Sequence, residues 1–311
     1  MPFYLGIDTS NYTTSAALYD TESGVVCHRK QLLTVHPGER GLRQSDAVFQ
    51  HTRQLPILIE DLFSQNTYPL IAVGVSAFPR RVKDSYMPCF LVGDGVARSI
   101  AAAHRLPLHR FSHQEGHIAA ALYSCGRLDL LEHGDFIAFH FSGGTTECLH
   151  CTAEQGVLSV ESFAHTSDLN TGQVIDRIGV RMGMQFPCGP ELERLAMESQ
   201  KTFRVRPSFR NGDPSLSGLE NQAGRMLASG EEPADVAKYV LDFVLAVVEQ
   251  ITQNALAAFG PLPLIYAGGV MSNRYISGVI QTRYGGIFAQ PEFSSDNAAG
   301  IAVLAARQEG K

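Results

Sequence analysis

The chain has 311 residues, 44% of them hydrophobic and 18% charged, with a formal net charge of −6. That length and balance describe a globular molecule large enough for two lobes of ~150 residues each, and they exclude a disordered or low-complexity protein. The negative balance excludes any global attraction to nucleic acid, so an RNA contact must be local or shared with a partner.

The segment from Met1 to Asp8 carries neither a basic region nor an apolar stretch of signal length, and no window approaches the ~18 apolar residues of a membrane span. The expectation is a cytoplasmic protein without membrane segments. Tyr4 to Leu18 reads as a strand, a small-polar turn and a second strand. Phe136 to His150 repeats that plan 132 residues later, with Ser10-x-x-Thr13-Thr14 matching Ser142-x-x-Thr145-Thr146. A further candidate strand (24–32 and 156–165) and then helix follow each copy, which predicts an α/β protein of duplicated sheet-and-helix lobes with a cleft between the halves. The lobes are drawn at residues 1–111 and 112–296, the helix at 297–311 packing back on the first.

Leu106 to Phe111 is strand-like, and Ser112-His113-Gln114-Glu115-Gly116-His117 starts a helix. Ser112 and Glu115 make a capping box, so His113 and His117 stack on one face of the first turn, where the positive end of the helix dipole favours neutral imidazole. This reads as half of a metal site, although eleven histidines in such a chain give roughly 0.4 chance pairs at this spacing. Two partly buried histidines at a helix start remain the alternative. A thermolysin-type site is excluded, because Glu115 lies about 200° round the helix from His113.

In the second copy, the Ser142-Gly143-Gly144 turn can present backbone N–H groups to an anion, or be an ordinary hairpin turn. Cysteines 27, 89, 125, 148, 151 and 188 make no disulfide framework, and the lone Cys148-Leu149-His150-Cys151 reads as core or surface. Gly172 to Arg177, followed by Phe186-Pro187-Cys188-Gly189-Pro190, is a helix and its terminating turn. Two basic stretches can meet RNA or be solvated loops: Arg80-Arg81-Val82-Lys83, and Lys201 to Arg210, where aromatics interleave with cations. Asp235 to Phe259 is a long apolar-striped helix stopped by Gly260 and Pro261. Leu264 to Ala267 is a buried strand running through Gly268-Gly269 into a helix near Asn273, an arrangement that accepts a nucleotide on its amides. Asp296 precedes an Ala-rich helix and is an N-cap by local sequence.

Taken in order, Gly-Ile-Asp-Thr-Ser, His113-x-Glu-Gly-His117, Ser142-Gly-Gly-Thr, Gly-x-x-x-Asp176, Pro-x-Gly189-Pro, Ser215-Leu-Ser-Gly-Leu219, Gly268-Gly-Val-x-x-Asn273-Arg and Ser-x-Asp296-Asn resemble the TsaD family, also called Gcp and once described as O-sialoglycoprotein endopeptidases. The likeness runs from Tyr4 to about Arg307. It implies a two-lobed actin-like, sugar-kinase-like ATPase fold. It also implies a single divalent metal, iron or zinc, on His113, His117 and Asp296. An ATP- or AMP-type nucleotide or adenylate would rest on His140, Phe141, Ser142, Gly143 and Gly144, with Gly268 and Gly269 nearby and with Asp176, Gly189 and Asn273 at the nucleoside. The implied reaction moves a threonylcarbamoyl group from an adenylate donor to a tRNA adenosine, with no catalytic base named by the sequence. A protein partner or a homodimer through the first lobe is also expected.

The chain departs from the family around that chemistry. The acidic pair of Cys-Asp-Glu-Thr is replaced in Asn11-Tyr12-Thr13-Thr14, and the acid of Gly-Glu-Ala-Phe-Asp-Lys becomes Gln173. A Gly-Pro-Gly loop becomes the longer stretch from Phe78 to Pro88, and the Lys of Ser-Gly-Leu-Lys becomes Glu220. Three lost carboxylates alter the local pKa balance and the acceptor a pocket tolerates. The rival expectations are therefore carbamoyl transfer to a non-tRNA acceptor, or a nucleotide-binding partner subunit without turnover.

Overall fold

The computed structural model describes residues 2–10, 12–35, 42–64, 69–293 and 297–311. In the first half, β1 (Phe3–Asp8), β2 (Thr13–Asp20) and β3 (Val26–Leu32) form an antiparallel meander. Helix α1 (Gln44–Ser64) leads to β4 (Leu70–Phe78), which lies parallel to β1, and α2 (Phe90–His104) leads to β5 (Leu108–Ser112), parallel to β4. The sheet order is β3-β2-β1-β4-β5. The central strands are covered on both faces, which is why β1 and β4 are nearly unbroken apolar runs rather than alternating ones.

Helix α3 (His113–Ser124) follows, and the plan then repeats in β6 (His133–Phe141), β7 (Thr146–Glu154) and β8 (Val157–His165). Helices α4 (Thr171–Arg181) and α5 (Gly189–Ala196), the small hairpin of β9 (Ser208–Arg210) and β10 (Asp213–Ser215), and helices α6 (Ser217–Ala228) and α7 (Pro233–Phe259) come next. Then β11 (Leu264–Ala267) joins parallel to β6, α8 (Arg274–Tyr284) leads to β12 (Ile287–Phe288), and α9 (Asn297–Gln308) follows. The second sheet is ordered β12-β11-β6-β7-β8, the same plan as the first.

The chain divides into two compact units, one of Met1–Gly134, Thr152–Val160 and Glu292–Lys311, the other of Asp135–Cys151 and Glu161–Pro291. The first unit contains α3 and both of its histidines. The physical reason is α9. Ten consecutive residues of this helix, from Asn297 to Ala306, are buried. Half of those ten are alanine and one is glycine, which lets neighbouring backbones come close. A Cβ on Gly300 would sit 1.9 Å from the Gly116 carbonyl oxygen of α3, and one on Gly6 of β1 would sit 2.1 Å from the Ala298 carbonyl oxygen. Glycine is required at both crossings.

The second unit is built around α7, whose Val236, Val240, Val244, Val247 and Ile251 are buried with Phe139, Phe141 and Ile178. By length and composition α7 is apolar enough to cross a membrane, contrary to the expectation that no window is. The apolar stretch is 61% buried inside the protein, so its hydrophobicity is spent on this core. Cys148 and Cys151 of β7 are both fully buried, because residues three apart on a strand face opposite sides and both sides are covered here. Burial pushes both thiols well above their ordinary pKa.

Candidate functional site

In the first unit, the expected capping box forms: Glu115 N donates to Ser112 Oγ at 3.1 Å and Ser112 N donates to Glu115 Oε2 at 2.7 Å. The cap sets the start of α3, and the His113 and His117 rings meet edge-on with centroids 4.5 Å apart. Arg81 reaches in from the 78–88 segment to the buried Glu115 carboxylate at 3.1 Å, fastening the helix start from outside. Arg81 is thus held by a carboxylate.

Asp8 ends β1 fully buried, and its Oδ2 lies 2.8 Å from His113 Nδ1. Its Oδ1 accepts from Ser10 N at 2.7 Å. Burial pulls the Asp8 carboxyl upward, but the His113 ring and the hydrogen bonds from His113 and Ser10 outweigh it and hold the carboxyl below its ordinary pKa. An ionised carboxylate only accepts, so His113 Nδ1 carries a proton. Asn297 contributes a second constraint. Its Nδ2 lies 3.0 Å from His113 Nδ1 while its buried Oδ1 has no partner among the described residues. Two imidazoles on one helix face, one oriented by a buried carboxylate with its other nitrogen available, suit a metal such as iron or zinc. Asp296, the third expected ligand, lies outside the described residues. Among the described residues, no three His, Cys, Asp or Glu side chains are gathered as a metal cluster.

In the second unit, the Ser142 turn joins β6 to β7. Ser142 Oγ accepts from Thr145 N at 3.1 Å and Gly144 N at 3.3 Å, and Gly143 and Gly144 have open space where a Cβ would stand. Helix α4 starts against this turn: Gly172 N donates to the Ser142 carbonyl at 3.0 Å, and a Cβ on Gly172 would lie 2.7 Å from Gly143 N. Thr171 and Thr146 bond across the same junction at 3.0 Å. Gly268, at φ +96°, ends β11 beside His140 and Phe141, and a Cβ there would sit 2.2 Å from the Phe141 carbonyl oxygen and 2.9 Å from the His140 ring. Gly269 next to it is open, and Val270 N donates to that same Phe141 oxygen at 3.1 Å. Thus His140, Phe141, Ser142, Gly172 and Gly268 are brought together as a backbone-lined junction.

Three expected nucleoside residues are partly engaged by the protein. Asp176 Oδ1 accepts from Cys188 N at 2.8 Å and so positions Gly189, the first residue of α5, which has open space at its Cβ position. Asn273 Oδ1 caps α8 by accepting from Ile276 N at 3.0 Å. The sequence reading has Asp8 and Asn297 only inside family motifs and Arg81 only in a basic stretch, none of them at the start of α3, and only the place of Asp8 at a strand end before a small-polar turn offered a signal.

Residues 28–303 match the family model TsaD, tRNA N6-adenosine threonylcarbamoyltransferase. The chain is similar to the protein of that name from Aromatoleum aromaticum, with 31% identity over 97% of this chain and 90% of that one. Among solved structures it is similar to HypF of T. kodakarensis, at 15% identity over 99% of this chain and 48% of that one, with a TM-score of 0.62. A ROK-family glucokinase from Streptomyces griseus, solved with glucose and AMPPNP, matches at 12% identity over 99% of this chain and all of that one, with a TM-score of 0.52. The fold is therefore the expected α/β, sugar-kinase-like ATPase fold, and the chain belongs to the TsaD family of tRNA N6-adenosine threonylcarbamoyltransferases.

Proposed function

We propose that the protein transfers a threonylcarbamoyl group from an adenylate donor to the exocyclic amine of a tRNA adenosine, with His113, His117 and Asp296 holding one divalent metal. The family match across residues 28–303 carries this reading. The orientation of His113 by Asp8 supports the metal, and the glycine-lined junction at Ser142 and Gly268 supports a nucleotide. A bound metal supplies a Lewis acid that orients the donor and polarises its carbonyl. Asp8 holds a proton on His113 Nδ1, which leaves Nε2 as the ring nitrogen for the metal. The Gly143 N–H takes phosphate charge as the bond from carbonyl carbon to phosphate oxygen breaks and the nucleotide leaves with its electron pair, while the Gly144 and Thr145 N–H groups are already given to Ser142 Oγ. Gly143 and Gly144, having no side chain, let that phosphate approach the main chain.

A second reading rests on the replaced acids. Tyr12 and Thr13 stand in the hairpin where the family carries carboxylates, and Gln173 stands at the start of α4, next to Gly172, in place of another. These changes favour a carbamoyl or threonylcarbamoyl transfer redirected to a different acceptor.

Metal analysis of the purified protein, followed by incubation with threonine, bicarbonate, ATP, an adenylate-forming enzyme and unmodified tRNA, separates the two. Modified adenosine in the tRNA digest, seen by mass spectrometry and lost in Asp296→Ala, is the expected result. About one metal per chain without modified adenosine overturns the tRNA assignment in favour of another acceptor, and absence of metal overturns the metal-dependent mechanism.

A further inference from the structure

The run from Lys201 to Arg210 alternates in burial without being a regular strand over most of its length. Phe203, Val205 and Phe209 turn inward against the second unit's core, and Arg204, Arg206 and Arg210 are exposed. The backbone under them is fixed at several points. Phe203 N donates to the buried Asp242 Oδ2 at 2.9 Å, and the Phe203 ring meets Tyr239 edge-on at 5.5 Å. Asp242 is itself held by Tyr275 Oη at 2.6 Å and by Lys238. At the other end, Asn211 and Gly212 take positive φ in the two-residue turn between β9 and β10, and Ser215 Oγ donates to Asp168 Oδ2 at 2.7 Å.

Among the described residues, nothing neutralises the three exposed guanidiniums. Among the described residues no carboxylate lies within ion-pairing distance of Arg204, Arg206 or Arg210. Asp213 faces Arg210 across the hairpin, yet its Oδ1 accepts from His165 N at 2.9 Å. Lys201, at the start of the same run, is matched to Asp235 at 2.7 Å. Nine other arginines, Arg110 and Arg307 among them, have carboxylate partners. A chain of net charge −6 thus keeps three uncompensated cations in seven residues on a fixed backbone.

We propose that Arg204, Arg206 and Arg210 form a ridge that docks the phosphate backbone of the RNA acceptor. Alternate residues of an extended segment stand about 6.6 Å apart, which suits a repeating anion along one strand better than the scattered carboxylates of a folded protein surface. Guanidinium binds phosphate in a planar, two-pronged fashion, and phosphate contacts fix register without reading bases. The ridge therefore positions the acceptor and leaves its selection to other groups. This inference rests on the tRNA transferase reading, which it deepens by naming the surface.

The test compares wild type, Arg204→Gln/Arg206→Gln/Arg210→Gln and Arg204→Lys/Arg206→Lys/Arg210→Lys for binding of unmodified tRNA across a salt series, with ATP binding followed on the same samples. Each phosphate contact adds roughly 0.7 to 0.9 to the slope of log affinity against log salt, so the Gln variant is expected to lose about 2 to 3 of that slope and to bind at least about tenfold more weakly. The Lys variant is expected to keep the slope, and ATP binding to be unchanged in all three. An unaltered slope in the Gln variant, with wild type binding tRNA normally, overturns the ridge and leaves the transferase reading intact. Failure of wild type itself to bind tRNA removes the acceptor and the ridge together.

Discussion

The two units carry their candidate chemistry in different materials. In the first, the site is made of side chains: two imidazoles on α3, a buried carboxylate on β1, an amide on α9 and the Arg81–Glu115 pair behind them. In the second it is made of main chain, with glycines at 143, 144, 172, 268 and 269 where two turns and a helix start converge. A side-chain site loses function one atom at a time while the fold persists. A backbone site resists most side-chain changes and fails when a Cβ intrudes.

The sharpest way to break that comparison is Gly268→Ala. Its Cβ would meet the Phe141 carbonyl oxygen at 2.2 Å on a backbone of φ +96°, so a loss of about 3 kcal/mol or more is expected in denaturant unfolding, together with loss of nucleotide binding. Gly143→Ala, with open space around it, should leave unfolding almost unchanged. Equal effects from the two would refute the close-packed junction.

The first unit is expected to show an acid sensitivity traceable to one ring. His51 of α1 is fully buried, donates from Nδ1 to Thr14 Oγ1 at 2.7 Å, and has no partner at Nε2 among the described residues. Burial lowers its pKa to about 4, against a smaller upward pull from Asp8. Above pH 6.5 the ring is neutral whether the chain is folded or not, and it contributes no pH dependence. Below 6.5 the unfolded chain takes up a proton that the folded one refuses, so stability falls until the pH reaches about 4. The loss amounts to about 3 kcal/mol. Unfolding curves of His51→Gln measured over that range should be flatter than wild type by that amount, and parallel curves would contradict the assignment.

A smaller effect sharpens the side-chain end of the comparison. Asp8→Asn keeps the shape of the β1 terminus but leaves one acceptor oxygen for the two groups that use Asp8, Ser10 N and His113 Nδ1, and removes the carboxylate charge. Zinc affinity, measured by competition with a chromophoric chelator, is expected to fall about 10- to 100-fold with the unfolding midpoint little changed. An unchanged affinity would mean that His113 is oriented by other groups.

What could be read from the sequence was local or repeated. The capping box at Ser112 and Glu115 lies within four residues, and the matching Ser-x-x-Thr-Thr turns announced two sheets of one plan. Contacts between distant segments left no such trace. Asp8 is 105 residues from His113 and Asn297 is 184 residues from it, and nothing in either neighbourhood records the pairing. The close crossing of α3 and α9 at Gly116 and Gly300 is of the same kind. Apolar content misled at α7, where a buried core helix and a membrane span have the same composition.

The burial of α9 also bears on the order of events during synthesis. β1 and β4 leave the ribosome early, yet the helix that covers Gly6 and Gly74 comes only after all of β6 to β12 has been made. Domains usually fold in the order they are translated, and contacts spanning so much chain form slowly. Here the order is inverted: the second unit has its complete core while the nascent first sheet still waits, one face bare, for residues 297 to 308.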